Sequence, residues 1–245
     1  MMEISLTAVV NYVSELLSEG VIWETGTEKS SGGRKPVLLD INSQYGYIIG
    51  IDFGMSFFRI AALNLKNDIL LKQVIPSTEL GPPEEGISKI TGFIREMIRK
   101  IDCCGTLLGI GIAVSGIISG DEGMSVLMTN LEGWTHVDFV TPVRKQFNVP
   151  VFIDDSARMM ALCESIVPSG GRCKNLIHIS LGAGIGTGII IFGRLLRGST
   201  GMAGELGHII VKEGGNICGC GNKGCLEQYA SVPAMVNNSK KAIME

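Results

Sequence analysis

The chain is 245 residues long and 45% hydrophobic, with 33 glycines and a net charge of -3. That length can bury a sizeable core in one large or two smaller domains, and so much glycine excludes a helical bundle in favour of a loop-rich α/β protein. The slight acidity excludes a protein that coats nucleic acid by charge alone.

In chain order, Leu6, Val9, Val10, Val13, Leu16 and Leu17 recur at helical spacing, with Ser5 placed to cap the helix and Gly20 to stop it. Val21–Trp23 reads as a strand, a polar loop with Lys29, Arg34 and Lys35 follows, and Pro36–Leu39 returns as a second strand. Helix, strand, basic loop, strand is the closing half of a winged helix-turn-helix, whose helix would enter the major groove while the loop would touch phosphates or the minor groove. Thr7 and Asn11 on the helix, and Arg34 and Lys35 on the loop, are the candidate DNA contacts. Against that reading, residues 1–36 hold five acidic and three basic side chains, and a small extension packed on the next domain would look similar.

From Tyr47 the pattern changes. An apolar strand ends in Asp52-Phe-Gly54-Met55-Ser56, and Phe57–Leu63 and Ile69–Val74 return as two more strands. A tight glycine turn with a carboxylate and a hydroxyl can cradle a metal-bound phosphate. A helix is expected over Glu84–Ile101, a strand over Leu107–Ser115, then a strand from Val149 leading through Asp154-Asp155-Ser156 into a helix over Ala157–Ile166. Strands alternating with helices indicate an α/β domain with a mixed sheet. Leu176–Gly193 carries no formal charge, but its five glycines and His178 divide it into two β-branched runs, so it reads as a buried hairpin rather than a membrane span. Its glycine turn, Gly182-Ala183-Gly184-Ile185-Gly186, would face the first one across a cleft.

The most specific signal lies near the end. His208, Cys218, Cys220 and Cys225 fall within eighteen residues, bracketed by Glu205 and Glu227. Three thiolates and an imidazole complete a tetrahedral zinc site with no position left for a reactive water, so zinc is expected as a structural ion and the glutamates are aimed at a ligand. The chain has seven cysteines, an odd number, and no signal-peptide pattern, which points to a reducing cytoplasm. Cys103, Cys104, Cys163 and Cys173 are expected to be packing residues.

Ile51-Asp52-Phe-Gly54, Gly182–Gly188, Gly204-Glu-Leu-Gly-His208 and Cys218–Glu227 together resemble the ROK family of repressors and sugar kinases. The resemblance covers nearly the whole chain. It implies an actin-like (ribonuclease H-like) two-lobed ATPase fold after a partial winged helix-turn-helix, divided as residues 1–42, 43–168 and 169–245. Family chains continue beyond Glu245, so the second lobe is expected to be incomplete. The sugar contacts implied are Asn130, Asp155, Glu205, His208 and Glu227, with the zinc on His208, Cys218, Cys220 and Cys225. Family kinases carry Glu-Asn-Asp-x-Asn where this chain, anchored on Ala161–Glu164, has Asp154-Asp155-Ser156-Ala157-Arg158. Ser156 then stands at the position of the general base, and a hydroxyl is too weak a base for phosphoryl transfer. Shifting the register by one would let Asp155 serve, at the cost of the match at Glu164. Met55 and Ala183 replace a glycine and a threonine of the kinases' phosphate loops, leaving Asp52, Gly54, Ser56, Gly182 and Gly184 as a vestigial phosphate site. The expectation is a cytoplasmic, sugar-responsive repressor that binds operator DNA and a sugar or sugar phosphate effector, as a homodimer or homotetramer without membrane contact. ATP and magnesium are not expected. An ATP-dependent sugar kinase and a purely structural zinc module are the alternatives.

Overall fold

The computed structural model describes residues 5–27, 36–101, 105–119, 124–128, 133–166 and 173–244. Helix α1 (Leu6–Ser18) starts where the Ser5 hydroxyl accepts the Ala8 N–H, and it buries none of its side chains. Strands β1 (Ile22–Thr27) and β2 (Val37–Ile41) pair antiparallel, with a bulge between Glu24 and Gly26. Thr7 and Asn11 lie exposed on α1; Arg34 and Lys35 lie outside the described residues.

The first lobe is a five-stranded sheet of β3 (Gly46–Phe53), β4 (Phe57–Asn64), β5 (Ile69–Pro76), β6 (Thr106–Val114) and β10 (Val151–Asp155), in the order β10-β6-β3-β4-β5. β3, β6 and β10 run parallel, while β4 and β5 return antiparallel, so the sheet is mixed as expected. Alternation puts Ile49, Ile51 and Phe53 of β3 and Ile110, Ile112 and Val114 of β6 into the core. Helix α2 (Pro83–Lys100) covers that face with Ile90, Ile94 and Met97, spaced to fall on one stripe. Phe53 meets Phe58 and Trp134 edge-on, and Trp134 stacks on Phe139 while its indole N–H donates to the Gly81 carbonyl.

A small sheet of β7 (Ile117–Ser119), β8 (Met124–Leu127) and β9 (Val137–Asp138), and helix α3 (Val140–Phe147), sit between β6 and β10. None of these elements was anticipated from the sequence. Asp138 caps α3 by accepting the Val140 and Thr141 N–H groups, and Asn148 ends it in the left-handed region.

The second lobe is built on β11 (Leu176–Leu181), β12 (Ile185–Ile191) and β13 (Arg194–Leu195), a three-stranded antiparallel sheet. Helix α4 (Ser156–Ile166) packs on β11 and β12. It comes so close that a Cβ on Gly188 would lie 2.5 Å from the Ala157 carbonyl and 2.5 Å from the Ala161 Cβ. Gly188→Ala is therefore expected to cost about 2 kcal/mol through overpacking and to lower the melting midpoint by about 4–8 °C, measured by calorimetry. The hairpin exists, but it is buried on one face only: Ile177, Ile179 and Leu181 are exposed. Alternation along β11 turns these residues away from α4, which corrects the reading of a buried hairpin to one buried on a single face. Cys163 and Cys173 are also exposed rather than packed. The covered stripe of α4 runs through Ala157, Arg158, Ala161 and Ser165, and Cys163 falls on the opposite side. Cys103 and Cys104 lie outside the described residues. The chain goes on through a 3-10 turn, Leu206–His208, and a metal-type loop to the helices α5 (Glu227–Ala230) and α6 (Val232–Met244). No described helix is long and apolar enough to cross a membrane.

Candidate functional site

The two glycine turns and the ends of β6, β10 and β11 enclose one cavity of about 340 Å³. That is at the small end of ligand pockets, about 300–1,000 Å³, and suits a compact polar molecule. Gly54, Ser56, Gly182 and Gly184 line it together with Asp155, Glu205, His208 and Glu227. Met55 and Ala183 line it too, where their side chains take up space beside both turns. Asn130 lies outside the described residues. Asp52 and Ser156 are not among its lining residues.

Asp155 ends β10, and its Oδ1 accepts the Ala157 N–H at 2.9 Å and the Arg158 N–H at 3.1 Å, which caps α4. Burial pushes its carboxyl above the ordinary range, against the pull of those amides and of Arg158. Glu205 follows Gly204, whose φ of 93° and approach to the Thr187 carbonyl leave no room for a side chain. Burial and the charge of Asp155 raise the Glu205 carboxyl as well. Glu227 begins α5, and its Oε2 accepts the Ile185 N–H at 2.8 Å. A Cβ on Gly184 would lie 2.5 Å from that oxygen, so the glycine turn and the glutamate fit only together.

The raised Glu205 carboxyl has a consequence for stability. In the folded chain its ionised form is disfavoured, so it contributes stability below the ordinary carboxylate value, about 4.3, and that contribution is lost as pH rises through the raised value. Glu205→Gln is expected to melt above the parent at pH 7, with the difference closing as the pH falls toward about 4 in paired thermal melts.

His208, Cys218, Cys220 and Cys225 converge, with one ligand atom from each lying within 4.8 Å of the others. Cys220 and Cys225 Sγ are 3.7 Å apart, and Cys218 Sγ is 3.6 Å from His208 Nδ1. A tetrahedral zinc with Zn–S of about 2.3 Å sets its sulfurs about 3.8 Å apart, so this donor set fits the ion in kind and in spacing. The loop holds its shape through glycine. Gly221 and Gly224 have φ of 92° and 83°, and a side chain on Gly224 would collide with the Lys212 carbonyl. Burial and the neighbouring thiols push Cys225 up to about 12; burial acts on Cys220 too, but the Asn222 amide and the other thiols hold it below its ordinary value. With Nδ1 turned to the thiols, the other imidazole nitrogen of His208 is left for the cavity that the residue lines.

On the phosphate side, Asp52 has partners within the chain on both oxygens. Its Oδ2 pairs with Arg59 at 2.8 Å, its cross-strand partner on β4, and its Oδ1 accepts the Ser156 hydroxyl at 3.4 Å. Arg59, which also lies over the Phe57 ring, lines the cavity, and nothing in the sequence marked it. Only the strand register reveals it. Asp154, next to Asp155, is buried and paired with Arg158 and Arg197.

Fold and cavity define a two-lobed, actin-like α/β protein of the sugar-kinase type. Residues 48–244 match the model of the ROK family, and the chain belongs to that family. It is 36% identical over 100% of its length to the xylose repressor of Caldicellulosiruptor bescii and covers 61% of it. With the xylose repressor of Bacillus subtilis (strain 168) the identity is 34%, over 95% of this chain and 60% of that one. A ROK family transcriptional regulator, a homolog of the E. coli MLC protein, superposes with a TM-score of 0.81 at 25% identity, covering 99% of this chain and 61% of that one. A ROK family glucokinase from Streptomyces griseus, in complex with glucose and AMPPNP, gives 0.69 at 30% identity, covering 80% and 61%. The chain thus spans about three fifths of the length of these relatives.

Proposed function

We infer that this chain belongs to a sugar-responsive transcriptional repressor, in which a kinase-like scaffold senses a sugar without phosphorylating it. One observation supports this reading: the candidate ligand-facing groups gather on one cavity, while Ser156, at the position of the kinases' proton acceptor, is not among its lining residues. Asp155, Glu205, His208 and Glu227 border one small cavity, and acidic groups accept hydrogen bonds from several sugar hydroxyls at fixed angles. Next to Asp155, Ser156 stands where the kinases have their proton acceptor, and it donates its own proton toward Asp52, whose other oxygen pairs with Arg59.

Zinc on His208, Cys218, Cys220 and Cys225 is structural in this reading, and it fixes the imidazole beside the sugar. The division into residues 1–42, 43–168 and 169–245 assigns α1 and the β1–β2 hairpin to DNA. Thr7 and Asn11 would touch operator bases, and the loop carrying Arg34 and Lys35 its phosphates. A sugar that binds the closed arrangement of the lobes better than the open one would shift the population and move that unit, in a cytoplasmic homodimer or homotetramer. The xylose and N-acetylglucosamine repressors among its relatives, and the glucokinase, suggest xylose, glucose and N-acetylglucosamine as first ligands to try.

The kinase reading keeps one support. Asp155 lines the cavity with a raised carboxyl and could accept a proton if a sugar hydroxyl reached it. A coupled assay of these sugars with magnesium-ATP separates the two. The sensor reading expects no turnover above a sugar-free control; turnover that is lost in Asp155→Asn establishes the kinase instead.

A further inference from the structure

Asp154 and Asp155 are consecutive residues of β10, so their carboxylates point to opposite faces of the sheet. Asp155 lines the cavity. Asp154 is buried away from it, with a side chain 8% exposed, and both its oxygens are occupied. Oδ2 accepts Nη2 and Nε of Arg197 at 2.7 and 3.1 Å, a forked, charge-assisted contact from a residue just beyond β13. Oδ1 accepts the Asp155 N–H at 2.9 Å and lies 2.8 Å from Arg158 Nε, an ion pair not aligned as a hydrogen bond. Arg158 is itself buried, 3% exposed, and its Nη1 donates to the Gly201 carbonyl.

These contacts converge on one segment. Residues 196–204 link β13 to Glu205, and they include Gly198, Gly201 and Gly204 in the left-handed region at φ of 72°, 74° and 93°. A segment so rich in glycine has little stiffness of its own. Its internal backbone bonds are the Ala203 N–H to the Arg197 carbonyl at 3.0 Å and a long one from Gly201 to Gly198 at 3.5 Å. Glu205 then sits between two anchors: His208 in the Cys-His cluster on one side, and the Arg197 and Gly201 ties to Asp154 and Arg158 on the other.

We propose that Asp154, Arg158 and Arg197 form a latch that positions the Gly201–His208 turn against Asp155, so that both acidic walls of the cavity are held in register by contacts that never touch the ligand. The three are positioning residues acting through Glu205 and His208. The proposal rests on the sugar-sensing reading for its ligand, but the tie itself stands on geometry alone. Arg158 occupies the place of the final asparagine in the kinases' Glu-Asn-Asp-x-Asn, and it brings a guanidinium long enough to cross from α4 to Gly201. Arg158 and Arg197 reach the buried carboxylate from two segments of the chain, so it draws the start of α4 and the start of the glycine-rich segment to one point.

Arg197 allows a clean test on the full 245-residue chain. Its side chain is 56% exposed, and Arg197→Ala leaves Asp154 still paired with Arg158. The latch predicts that in this variant the amides of residues 198–208 exchange hydrogen about fivefold faster or more, while bound metal stays at the parent's value and the melting midpoint falls by no more than about 2–6 °C. It further predicts that whichever of D-xylose, D-glucose and N-acetylglucosamine the parent binds is held about tenfold more weakly, the scale of one charge-assisted hydrogen bond. Arg197→Lys keeps the charge without the fork and should recover only part of both effects. Unchanged exchange overturns the latch whatever the sugars do. Faster exchange with unchanged sugar affinity overturns its role in the pocket. Faster exchange in a protein whose parent binds none of the three sugars supports the tie and tells against the sugar reading instead.

Discussion

Cys225→Ser is expected to yield a protein without bound zinc, melting about 6–12 °C below the parent and binding no sugar. Cys225 is fully buried, 3.7 Å from Cys220, and inside a cluster whose fourth member is His208. Serine cannot offer a thiolate, and a tetrahedral site that loses one of three thiolates loses most of its affinity at neutral pH. The loop then keeps only its backbone hydrogen bonds, such as Cys218 N–H to the Asn222 carbonyl and Gly224 N–H to the Asn216 carbonyl, across a stretch loosened by glycines at positions 219, 221 and 224. A loss of about 3 kcal/mol corresponds to the stated shift for a chain of this size. Metal analysis with calorimetry reads both effects. Retention of stoichiometric zinc in Cys225→Ser would remove Cys225 from the ligand set.

The second large effect is expected at Glu227. Glu227→Ala should weaken sugar binding by about a hundredfold, or abolish it, while leaving zinc in place. Two contributions add here. The sugar loses an ionised acceptor, worth about 1.5–3 kcal/mol for a charge-assisted hydrogen bond. The Ile185 N–H loses its acceptor at 2.8 Å, which frees the glycine turn that forms the neighbouring wall. Glu227→Gln keeps an acceptor for Ile185 and removes the charge, so it should recover the turn but only part of the affinity. Titration calorimetry on metal-loaded variants separates the two contributions. Parent-like affinity in Glu227→Ala would mean that the pocket is misplaced.

Much of this was legible in the chain because it is local. The end of β3 at Asp52-Phe-Gly54, the helix start at Ser156 and the hairpin around Gly182 follow from runs of apolar residues broken by glycine. The metal cluster was legible for the same reason, because its ligands lie close together and its chemistry is specific to their type. What stayed hidden depends on register or on long-range contact. Arg59 was silent until β4 paired with β3 and set it opposite Asp52. Arg197 meets Asp154 across 43 residues, and nothing local to Arg158 shows that it is buried against the Gly201 carbonyl. The glycines 186 and 188 read as part of a phosphate turn, yet they lie in β12, where their missing side chains let α4 approach. Cys163 was misread because local hydrophobicity says nothing about helix phase.

Arg59 also bears on what the cleft can still do. Asp52, which the family resemblance places beside the phosphate, is paired here with an arginine of the same sheet. In the sensor reading, the serine at the base position and this ion pair are separate departures, each bearing on a different part of phosphoryl transfer. Restoring one alone, as in Ser156→Asp, should not restore turnover.

The central claim is that the cavity bordered by Asp155, Glu205, His208 and Glu227 binds a sugar in the absence of nucleotide. Its most direct test is a thermal-shift titration of the zinc-loaded chain with D-xylose, D-glucose and N-acetylglucosamine, without ATP. A bound sugar present at a hundred times its dissociation constant stabilises by about 2.7 kcal/mol, which at this size raises the midpoint by about 5–11 °C. At least one of the three is expected to give such a concentration-dependent rise, and Glu227→Ala to give none. A midpoint that none of them moves, or one that moves equally in Glu227→Ala, would contradict it.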